Sequence, residues 1–549
     1  MTAASSPCPS LPWGPGWREA AWAGLNRPWD LIIIGGGITG AGILNLAARC
    51  GLKVLLLEQN DFASGTSSRS SKLVHGGLRY LKQLHLRLTY ECVRERQYLL
   101  NSIPGLVEPL DFTYPLYAPG GTRPWLMKLG LSLYTHLSPQ AGTYATLEPA
   151  EIGRQFSDLA RMGMIKGYRF GDAATDDARL VLRVLSDGLR AAKGNALALN
   201  YAHVDGFLRM GGKMAGAAVA DRDSERKGEA FAPVVINAGG AWADAIRAEL
   251  GLAARLRPLR GSHLFFQQQR LPIPTALMLE HPRDGRPLFL LPWEGVTLVG
   301  TTDVDHPFDA DEEPFISGEE QTYLLEALHA RFPELHLAQD DLLAVQAGVR
   351  PVVRHGKKDP SQESREHILW DEKGLLTVAG GKLTTFRLIA LEALRSARAL
   401  SGRIPRASAA LPVVEEADPA CLPNGLDPLL ARRLCGRYGS AADMLLRDHP
   451  DLRDPVPGTA TVWAELAWAA RHEAVEHLDD LLLRRTRLGL ILGEGVNALL
   501  PRIKEICAPV LGWNEERWLR EVERFQIARR ASWGRMGGSS ISRGTGSAS

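Results

Sequence analysis

The feature that most constrains this chain is a glycine-rich turn between a buried strand and a helix. The run DLIII leads into GGGITG, in which Gly35, Gly37 and Gly40 take the three glycine positions of a GxGxxG pattern. The first glycine permits a tight turn, the second lets the backbone approach a pyrophosphate, and the third lets the helix pack closely on the sheet. The helix, which includes Ile38 and Thr39, would direct its positive dipole end toward the phosphates. The pattern therefore predicts an α/β dinucleotide-binding unit.

An acidic residue ends the strand that follows this helix. The run KVLLLE has the unbroken hydrophobicity of a buried strand, and its last residue is Glu58. A carboxylate at this place can accept a hydrogen bond from a ribose hydroxyl and disfavours a 2′-phosphate. The unit therefore predicts FAD or NAD rather than NADP. A plain turn is the alternative, but it does not account for strand, glycines, helix, second strand and acid in this order.

The loop after Glu58, TSSRSSKLVHGGLRYL, is rich in groups that can contact a dinucleotide. Its serines offer hydroxyl and amide donors, its lysine and histidine add donors, and an arginine supplies a cation. Its paired glycines permit close backbone approach to a flat ring. These residues are Ser67, Ser68, Ser70, Ser71, Lys72, His75, Gly76, Gly77 and Arg79. A basic surface loop is the alternative interpretation of the serines.

Composition places the chain among multidomain globular proteins. At 549 residues it is too long for one ordinary core, so two or three domains are expected. The formal net charge is +2, without a dense Lys/Arg cluster, which argues against a nucleic-acid partner. The 6 cysteines form no CxxC pair and are widely scattered, as expected in a reducing cytoplasm. The sequence predicts no metal site.

No segment has the pattern of a secretory signal or a membrane span. The first residues lack a basic start followed by an apolar core, and the apolar stretch Leu31–Ala48 is interrupted by glycines. Any membrane contact is therefore expected at the surface. Residues 1–28 are rich in Pro, Gly and Trp and are expected to form a poorly ordered arm. Tryptophans such as Trp13, Trp22 and Trp29 could anchor at a lipid interface, or the arm could pack on its own body.

The chain is mixed α and β up to about Asp418 and helical beyond it. The runs APVVINAGG, GVTLVGTTD and LLTVAGG each predict a strand that ends in a glycine-rich loop. The runs DPLLARRLCGRYGSAADMLL and TVWAELAWAARHEAVEHLDDLLLRRTRLGLIL carry apolar residues at helical spacing. The tail from Gly537 is low in complexity and is expected to be disordered.

With these motifs in order, the chain resembles the FAD-dependent glycerol-3-phosphate dehydrogenase family, the respiratory flavoenzymes. The resemblance begins with the serine-rich loop behind the dinucleotide unit and covers the chain from about Trp29 to Ile527. Its further motifs are DDARLVL at 176–182, VVINAGGAWAD at 234–244, RGSH at 260–263, GTTDVD at 300–305, GVRP at 348–351, GGKLTTFR at 380–387 and, near the C-terminus, HEAVEHLDDLLLRRTRLGL.

The resemblance implies an α/β fold with a Rossmann-like FAD-binding domain, a mixed-sheet substrate domain and a helical C-terminal cap domain. The expected boundaries are 1–28 for the N-terminal arm, 29–112, 160–260 and 345–405 for the FAD-binding domain, 113–159 and 261–344 for the substrate-binding domain, 415–535 for the helical domain and 536–549 for the disordered tail.

The resemblance implies FAD held without a covalent bond, although a histidyl-flavin at His75 is conceivable. The helix opened by GGKLTTFR would point its N-terminus at the N1/C2=O edge of the flavin, where Lys382 would favour reduction. A solvated lysine is the alternative. The implied FAD contacts are Gly35, Gly37, Ile38, Thr39, Gly40, Glu58, Thr66, Ser67, Ser68, Ser71, Lys72, His75, Gly76, Gly77, Val204, Thr302, Asp303, Gly380, Gly381, Lys382, Leu383 and Thr384.

The implied substrate is sn-glycerol 3-phosphate, a small dianion that needs a cationic clamp. Arginine suits this task because its planar fork matches phosphate oxygens. The implied substrate contacts are Arg79, Tyr80, Arg350, Arg365 and Lys382. Glu366 follows Arg365 where the family pattern has aspartate, which leaves the local geometry there open.

His263 in RGSH matches the base that the family is proposed to use. It would take the C2 hydroxyl proton while the C2 hydride passes to flavin N5, and the pKa of histidine suits that task near neutral pH. Arg350 and Lys382 complete the implied catalytic set. His75 is the rival base, and a structural histidine on a strand is the alternative interpretation of His263.

The expected reaction is oxidation of glycerol 3-phosphate to dihydroxyacetone phosphate, with electrons passed to a membrane quinone. A glycerol-3-phosphate oxidase that uses O₂ is the nearer alternative, and a non-catalytic flavin-binding protein is the farther one. The implied location is cytoplasmic and peripheral on the cytoplasmic membrane. The segment RPWLMKLGLSLYTHL, Arg123–Leu137, is expected to be an interfacial helix that contacts lipid, or else a core helix. The oligomeric state is left open, and a homodimer is compatible with the sequence.

Overall fold

The structure of the protein is a computed structural model, which describes residues 11–78, 85–118, 123–137, 144–356, 363 and 366–533. The α-helices of this part of the chain are α1 (Trp17–Ala23), α2 (Ile38–Arg49), α3 (Leu86–Ser102), α4 (Pro124–Leu137), α5 (Pro149–Gln155), α6 (Asp177–Ala191), α7 (Ala243–Ala248), α8 (Gly318–Arg331), α9 (Phe386–Leu400), α10 (Pro428–Tyr438), α11 (Ala442–Asp448), α12 (Trp463–His472), α13 (Leu488–Ile491), α14 (Leu500–Leu511) and α15 (Glu515–Ala528). Two π-helical segments span Asp480–Arg485 and Arg529–Trp533.

The strands form three sheets. In chain order they are β1 (Leu31–Ile34), β2 (Val54–Leu57), β3 (Val107–Tyr117), β4 (Ala145–Leu147), β5 (Met164–Thr175), β6 (Ala196–Leu199), β7 (Ala202–Met210), β8 (Lys213–Asp221), β9 (Lys227–Phe231), β10 (Val235–Asn237), β11 (Leu256–Gln267), β12 (Ala276–Glu280), β13 (Pro287–Trp293), β14 (Val296–Gly300), β15 (Val304–Asp305), β16 (Leu342–Val353), β17 (His367–Glu372) and β18 (Leu375–Gly380).

The first sheet carries the glycine turn and has the order β17-β18-β10-β1-β2-β6. Its strands pair in parallel except for β17, which is an antiparallel edge. Both faces are covered, and successive residues of β1 serve the two faces in turn. Leu31 and Ile33 belong to the core shared with α2, α6 and α9, whereas Ile32 and Ile34 pack with α1 and the small sheet β7-β8-β9. Burial on both faces explains why this strand is apolar throughout.

The second sheet has nine strands: eight follow the order β15-β11-β14-β13-β12-β3-β5-β4, and β16 pairs along the other edge of β11, from Leu256 to Phe266. It is antiparallel except where β12 meets β3. The strands β5 and β16 belong here, although the sequence placed residues 160–260 and the stretch from 345 in the FAD-binding domain. An apolar run shows that a strand is buried but not which sheet it joins, and the domain boundaries remain a prediction.

The C-terminal part is helical, as predicted, and one of its two hydrophobic clusters is shared with the second sheet. Leu481, Leu488 and Ile503 are buried in one cluster with Phe265 and Trp293 of the second sheet. A smaller cluster under α10, α11 and α12 is formed mainly within the C-terminal part. Side chains of the C-terminal part therefore reach the strands that carry the candidate site.

The expectation of a poorly ordered arm is wrong for residues 11–28. Trp13 is 2% exposed, its ring centroid lies 5.3 Å from that of Phe62, and its Nε1 donates to Ala198 O at 3.2 Å. Trp22 and Trp29 are buried in the core that faces the small sheet. The arm packs on its own body because its tryptophans fill the space beside the first sheet, so these side chains are not available to lipid.

Candidate active site

The glycine turn lies between β1 and α2, where the sequence placed it. Gly35 has φ +112°, a backbone conformation that side chains other than glycine rarely adopt. A Cβ at Gly36 would lie 2.7 Å from Phe62 Cδ1, and a Cβ at Gly40 would lie 1.9 Å from the carbonyl oxygen of Gly35. Only glycine fits at these positions, and α2 begins directly behind them at Ile38. The turn has the form that a pyrophosphate-binding backbone requires.

Glu58 follows β2 and is fixed over this turn. Its carboxylate accepts the N–H of Gly36 at 2.6 Å and the N–H of Asn60 at 2.8 Å. Burial raises the pKa of this carboxyl, and the two backbone hydrogen bonds oppose the shift. Ala202 N donates to Glu58 O at 2.8 Å, which brings the start of β7, with Val204, to the same edge. A carboxylate held here, beside a glycine turn and a helix N-terminus, fits the adenosine half of FAD.

The hydroxyls of the serine-rich loop divide into two groups. Thr66 Oγ1 donates to Val349 O at 2.5 Å, and Ser68 Oγ donates at 3.4 Å to a carbonyl of its own loop, so these two hydroxyls hold the loop itself. Ser67 Oγ instead accepts the N–H of Ile38 at 3.0 Å, at the N-terminus of α2. Of these three predicted contacts, the Ser67 side chain is the one placed beside the turn.

Lys72 corrects the expectation of a donor to the dinucleotide. Its side chain is fully buried, and Nζ donates to the two carboxylate oxygens of Asp177 at 3.0 and 2.9 Å and to Ser68 O at 2.7 Å. Burial lowers the pKa of Lys72 to about 7, and the charge of Asp177 opposes that shift. The ammonium turns into the interior because a buried carboxylate 105 positions further along the chain neutralises it there.

The loop that follows β18 meets the serine-rich loop beside the first sheet. β18 ends at Gly380, Gly381 has φ +84°, and α9 starts at Phe386, which confirms the predicted turn into a helix. Thr384 Oγ1 donates to His75 O at 3.3 Å and links the two loops. The predicted flavin contacts of both loops are therefore brought to one place.

Lys382 and the paired glycines lie at this junction. Lys382 Nζ donates to Cys92 Sγ of α3 at 3.4 Å, and Leu383 packs against the core of the first sheet. Gly76 N–H donates to Asp172 Oδ1 at 2.9 Å, and the following Gly77 has φ +82°. The lysine thus stands beside the N-terminus of α9, where a cation is favourable to a reduced and negatively charged ring.

His263 lies on β11, 1% exposed, with its Nε2 2.8 Å from Ser71 Oγ. Burial, together with the positive charges of Arg350 and Lys72, holds the pKa of His263 well below its usual range. The ring is therefore neutral at pH 7 and able to accept a proton. Its Nδ1 is buried and has no hydrogen-bond partner among the described residues. A Cβ at Gly300 of β14 would lie 2.3 Å from the imidazole, so that glycine makes the space for the ring.

Arg350 lies on β16, close enough to His263 for its charge to lower the pKa of that imidazole. Its guanidinium donates to Asp303 Oδ1 at 2.9 Å and to Thr301 Oγ1 at 3.0 Å. A Cβ at Gly261 of β11 would lie 2.3 Å from Arg350 Nη2, so the glycine of RGSH leaves room for the fork. The arginine is partly exposed, and it supplies a planar cation within the surroundings of a neutral base.

Two further predicted cofactor contacts are engaged with protein groups. Thr302 is buried, and its Oγ1 donates to Glu320 Oε1 at 2.7 Å. Asp303 is buried, and its two carboxylate oxygens contact different guanidinium groups. Arg286 Nη2 lies 3.4 Å from Oδ2, and Arg350 Nη1 lies 2.9 Å from Oδ1. The carboxylate of Asp303 is therefore a counter-ion for two arginines, and a role in holding FAD would fall to its backbone.

Arg79, Tyr80 and Arg365 lie outside the described residues. Sequence reasoning assigned no role at the site to three residues that the structure places there. Gln346, opposite His263 on β16, is fully buried and its Nε2 donates to Ser70 O at 3.4 Å. Arg286 comes from the turn between β12 and β13, and Asp177 starts α6. The motif DDARLVL marked Asp177, but its partners are distant in sequence and only the fold shows them.

The site brings together the parts that oxidation of an alcohol needs. A neutral histidine can accept a hydroxyl proton, a partly exposed arginine can bind an anion, and a lysine beside a helix N-terminus can stabilise negative charge. The glycine turn and Glu58 fit a dinucleotide at the carboxyl edge of the parallel strands. This set is suited to hydride transfer from a small anionic alcohol.

Two family models match the chain in succession. Residues 30–387 match the FAD dependent oxidoreductase family, and residues 392–518 match the C-terminal domain of alpha-glycerophosphate oxidase. Together they cover the first sheet, the second sheet and the helical part. The cofactor of this chain is FAD, since the first model covers more than half of the chain and the glycine turn and Glu58 have the required form.

Individual relatives extend over nearly the whole chain. Glycerol-3-phosphate dehydrogenase 2 of Mycobacterium bovis is 34% identical over 541 residues, with 94% of this chain and 91% of the relative covered. The aerobic glycerol-3-phosphate dehydrogenase of Staphylococcus epidermidis is 32% identical over 534 residues, with 91% and 94% covered. The structure of the glycerol-3-phosphate dehydrogenase from Bacillus halodurans complexed with FAD is similar with a TM-score of 0.74 and 27% identity, covering 94% of this chain and 97% of that one.

Proposed function

The chain belongs to the FAD-dependent glycerol-3-phosphate dehydrogenase family, and from this premise we propose that it oxidises sn-glycerol 3-phosphate to dihydroxyacetone phosphate. The observation that carries the proposal is the pairing of a buried, neutral His263 with the partly exposed guanidinium of Arg350. A base and an anion site side by side suit an alcohol that carries a phosphate. The relatives named above as glycerol-3-phosphate dehydrogenases support the choice of this alcohol.

His263 accepts the proton of the C2 hydroxyl in this proposal. FAD, when bound, supplies the acceptor for the C2 hydride. Burial and the charges of Arg350 and Lys72 hold the pKa of His263 well below its usual range, so the ring is neutral near pH 7 and has a lone pair that can take the proton. His75 is the rival base, and its backbone carbonyl accepts from Thr384 Oγ1 at 3.3 Å, whereas the ring of His263 lies 2.8 Å from the Ser71 hydroxyl.

Arg350 binds the phosphate, and Lys382 stabilises the negative charge that builds up beside α9. The substrate is a dianion, so one guanidinium that already shares Asp303 does not neutralise it. Arg79 and Arg365, which the family resemblance implies as further cations, would supply the rest of the charge. The phosphate end of the substrate then fixes C2 relative to His263, and binding energy at that end is used to orient the reacting centre.

The decisive experiment mixes the purified yellow protein with glycerol 3-phosphate in the absence of oxygen. Loss of the oxidised flavin absorbance near its visible maximum, with formation of dihydroxyacetone phosphate, is the expected result. Glycerol, which lacks the phosphate, is the control and should reduce the flavin far more slowly. A flavin that stays oxidised with glycerol 3-phosphate would support the non-catalytic flavin-binding alternative instead.

We further propose that a membrane quinone takes up the electrons. The support is the family resemblance to the respiratory flavoenzymes. Adding a soluble quinone to the reduced enzyme should restore the oxidised spectrum faster than adding air. Rapid reoxidation by air with stoichiometric peroxide, and none by quinone, would identify an oxidase and would leave the first half-reaction unchanged.

The helix α4 supports a contact with lipid. Trp125 and Leu129 are 62% and 61% exposed on its outer side, while Leu131 and Tyr134 on its inner side are buried. The described part of the chain contains no helix long and apolar enough to cross a bilayer. An exposed apolar face on an amphipathic helix suits insertion into the boundary layer of a membrane. We place the enzyme on the cytoplasmic side of the cytoplasmic membrane, held at least in part by this face.

The lipid contact is tested by changing Trp125 and Leu129 together to Glu. The variant should no longer float with vesicles that contain anionic lipid. Its turnover with a soluble dye should stay within about twofold of wild type, since surface changes usually alter folding little. Leu429→Glu, at an exposed leucine of the C-terminal part, is the matched control and should still float. Equal flotation of all three proteins would rule out α4 as the lipid contact.

A further inference from the structure

The motif DDARLVL has no role in the proposed reaction, yet the structure places its second aspartate under the serine-rich loop. Asp177 is the first residue of α6 and is fully buried. Its Oδ2 accepts the N–H of Ser70 at 3.0 Å and the hydroxyl of Ser70 at 2.7 Å. Both of its oxygens accept from Lys72 Nζ, and Arg487 donates to it as well. One carboxylate therefore binds three side chains from two distant parts of the chain.

These contacts lie on either side of Ser71. Ser70 and Lys72 are the neighbours of Ser71 in sequence, and both are bound to Asp177. The Ser71 hydroxyl instead lies within 2.8 Å of His263 Nε2. Lys72 also has φ +59°, a conformation that a lysine keeps only when its surroundings enforce it. The backbone that presents Ser71 to the imidazole is thus held from below by one buried carboxylate.

The third partner of the carboxylate comes from the helical C-terminal part. Arg487 lies just before α13, has φ +63°, and donates to Ser68 O at 3.1 Å and to Asp176 Oδ1 at 3.1 Å as well as to Asp177. Ser68 O also accepts from Lys72, so the two cations bridge the same carbonyl and the same carboxylate. The C-terminal part thereby reaches the loop that carries Ser71.

The ring of Trp293 lies beside both cations that bind Asp177. Lys72 Nζ lies 5.5 Å and the guanidinium carbon of Arg487 lies 5.8 Å from the ring centroid. The indole Nε1 donates to Thr175 O at 3.1 Å, which fixes the ring against β5. Water is largely excluded from these buried side chains, so loss of one cation would leave the charge of the Asp177 carboxylate poorly compensated. The loop is then free to move, and the Ser71 hydroxyl with it.

We propose that Asp177, Lys72 and Arg487 form a positioning cluster that sets the Ser71 hydroxyl against His263 Nε2, and that the C-terminal part contributes to turnover through Arg487. The inference rests on the proposed function in assigning His263 the proton-accepting role. None of the three residues touches the substrate in this arrangement. Their effect is to keep the imidazole in one orientation and hydrogen-bonding state, since a ring nitrogen bound to a fixed hydroxyl leaves the other nitrogen with a defined role.

The test uses full-length FAD-loaded protein and a double-mutant cycle. Arg487→Lys keeps the charge and loses the fork, and Ser71→Ala removes the hydroxyl. Each change alone should lower the anaerobic rate of flavin reduction at saturating glycerol 3-phosphate by about tenfold, and the double variant should be slowed about tenfold rather than about a hundredfold. KM and FAD content should change less than about twofold. Additive losses would show that Arg487 does not act through Ser71.

Arg179→Lys is the matched control. Arg179 is a buried arginine of the same helix α6, and it binds Glu473 of the C-terminal part at 2.8 and 2.6 Å without touching the loop. A thermal unfolding midpoint lowered to the same extent in both lysine variants, with the rate lowered only in Arg487→Lys, supports positioning. Equal rates in Arg487→Lys and Arg179→Lys would overturn it and leave the cluster as part of the domain interface.

A measurement without substrate separates this inference from the proposed function. Diethyl pyrocarbonate labels accessible imidazoles, and His263 is 1% exposed in the intact cluster. Mass spectrometry should find His263 labelled several-fold faster in Arg487→Lys than in wild type or Arg179→Lys. Unchanged labelling contradicts the cluster even if glycerol 3-phosphate reduces the flavin. Faster labelling together with an unreactive wild-type flavin would keep the cluster and refute the proposed reaction.

Discussion

Two buried histidines, one at the candidate site and one in the contact between the C-terminal part and the rest, differ in charge at neutral pH, the first being neutral and the second protonated. His263 and His477 are 1% and 4% exposed. Burial and nearby cations hold the pKa of His263 well below its usual range. Burial acts on His477 in the same direction, but hydrogen bonds to Asp223 and Glu521 outweigh it and raise its pKa to about 10. Burial alone does not set the charge of an imidazole, because the partners decide it.

The same difference runs through the two regions around these histidines. The C-terminal contact is built from compensated charges, in which Asp61 accepts from Arg484 and Arg485, and Arg484 also binds Asp479 and Asp480. The candidate site instead keeps a neutral base beside cations. We therefore expect substitutions in the C-terminal contact to lower the free energy of unfolding and substitutions at the candidate site to lower the reaction rate. The two regions meet at the positioning cluster of Asp177, Lys72 and Arg487.

The largest effect is expected for His263→Asn. Removing the proton acceptor should lower kcat by about 10²–10⁴-fold, the usual contribution of a general base, with normal FAD content. Steady-state turnover with glycerol 3-phosphate and a soluble dye measures it. His281→Asn is the control, because His281 is similarly buried directly after β12, where its Nε2 bonds to the carbonyl of Tyr323 and its Nδ1 accepts the N–H of Arg283. Near-normal turnover of His263→Asn would move the base to His75 or to water.

The next effect concerns the C-terminal contact. Asp61→Asn keeps the shape and removes the charge that compensates Arg484 and Arg485, so the free energy of unfolding should fall by about 3–5 kcal/mol. Urea unfolding followed by tryptophan fluorescence measures it, and turnover per bound FAD should stay within about twofold. Glu516→Gln, which breaks an exposed ion pair with Arg520, should cost less than about 1 kcal/mol. A slow but fully stable Asp61→Asn would contradict the division between the two regions.

A smaller effect is expected at the anion site. Arg350→Lys retains the charge but loses the fork, and kcat/KM for glycerol 3-phosphate should fall at least about tenfold, equivalent to about 1.4 kcal/mol. The loss with glycerol should be much smaller, because glycerol has no phosphate to bind. Arg283→Lys, in the turn between β12 and β13 and ion-paired with Glu326 at the surface, is the control and should leave kcat/KM unchanged for both alcohols. Equal losses with both alcohols would make Arg350 a structural residue.

Much of this arrangement could be predicted from the sequence, because local patterns carry it. The unbroken apolar run before Gly35, the acid at Glu58 and the glycines before α9 each determine a turn or a strand within a few residues. The motif RGSH likewise marked His263. Prediction failed where a side chain meets a partner far along the chain, as for Lys72, which the sequence assigned to the cofactor and the fold gives to Asp177. No local pattern encodes such a pairing, since it depends on how α6 packs under the loop.

The most direct test of the comparison is the pH dependence of stability. The pKa of His477 is raised to about 10, so the folded protein keeps a proton that the unfolded chain releases above about 6.5. Its stabilising contribution is therefore fully present below pH 6.5 and is lost progressively as the pH rises toward 10. His263 acts in the opposite direction, because its lowered pKa makes the unfolded chain bind the extra proton below about 6.5.

Urea unfolding of wild type, His477→Gln and His263→Asn between pH 5 and 9 separates these contributions. Wild type should lose stability from pH 7 to 9 more steeply than His477→Gln, by up to about 1.4 kcal/mol per pH unit, which is the effect of one proton. As the pH falls below 6.5, the free energy of unfolding of wild type should decrease more steeply than that of His263→Asn. If His477→Gln followed wild type throughout the alkaline range, His477 would be neutral in the folded protein, and the two buried histidines would not differ in charge. The carboxylates of Asp223 and Glu521 would then have to be compensated by Arg18 and Arg517 instead, which lie close enough to serve.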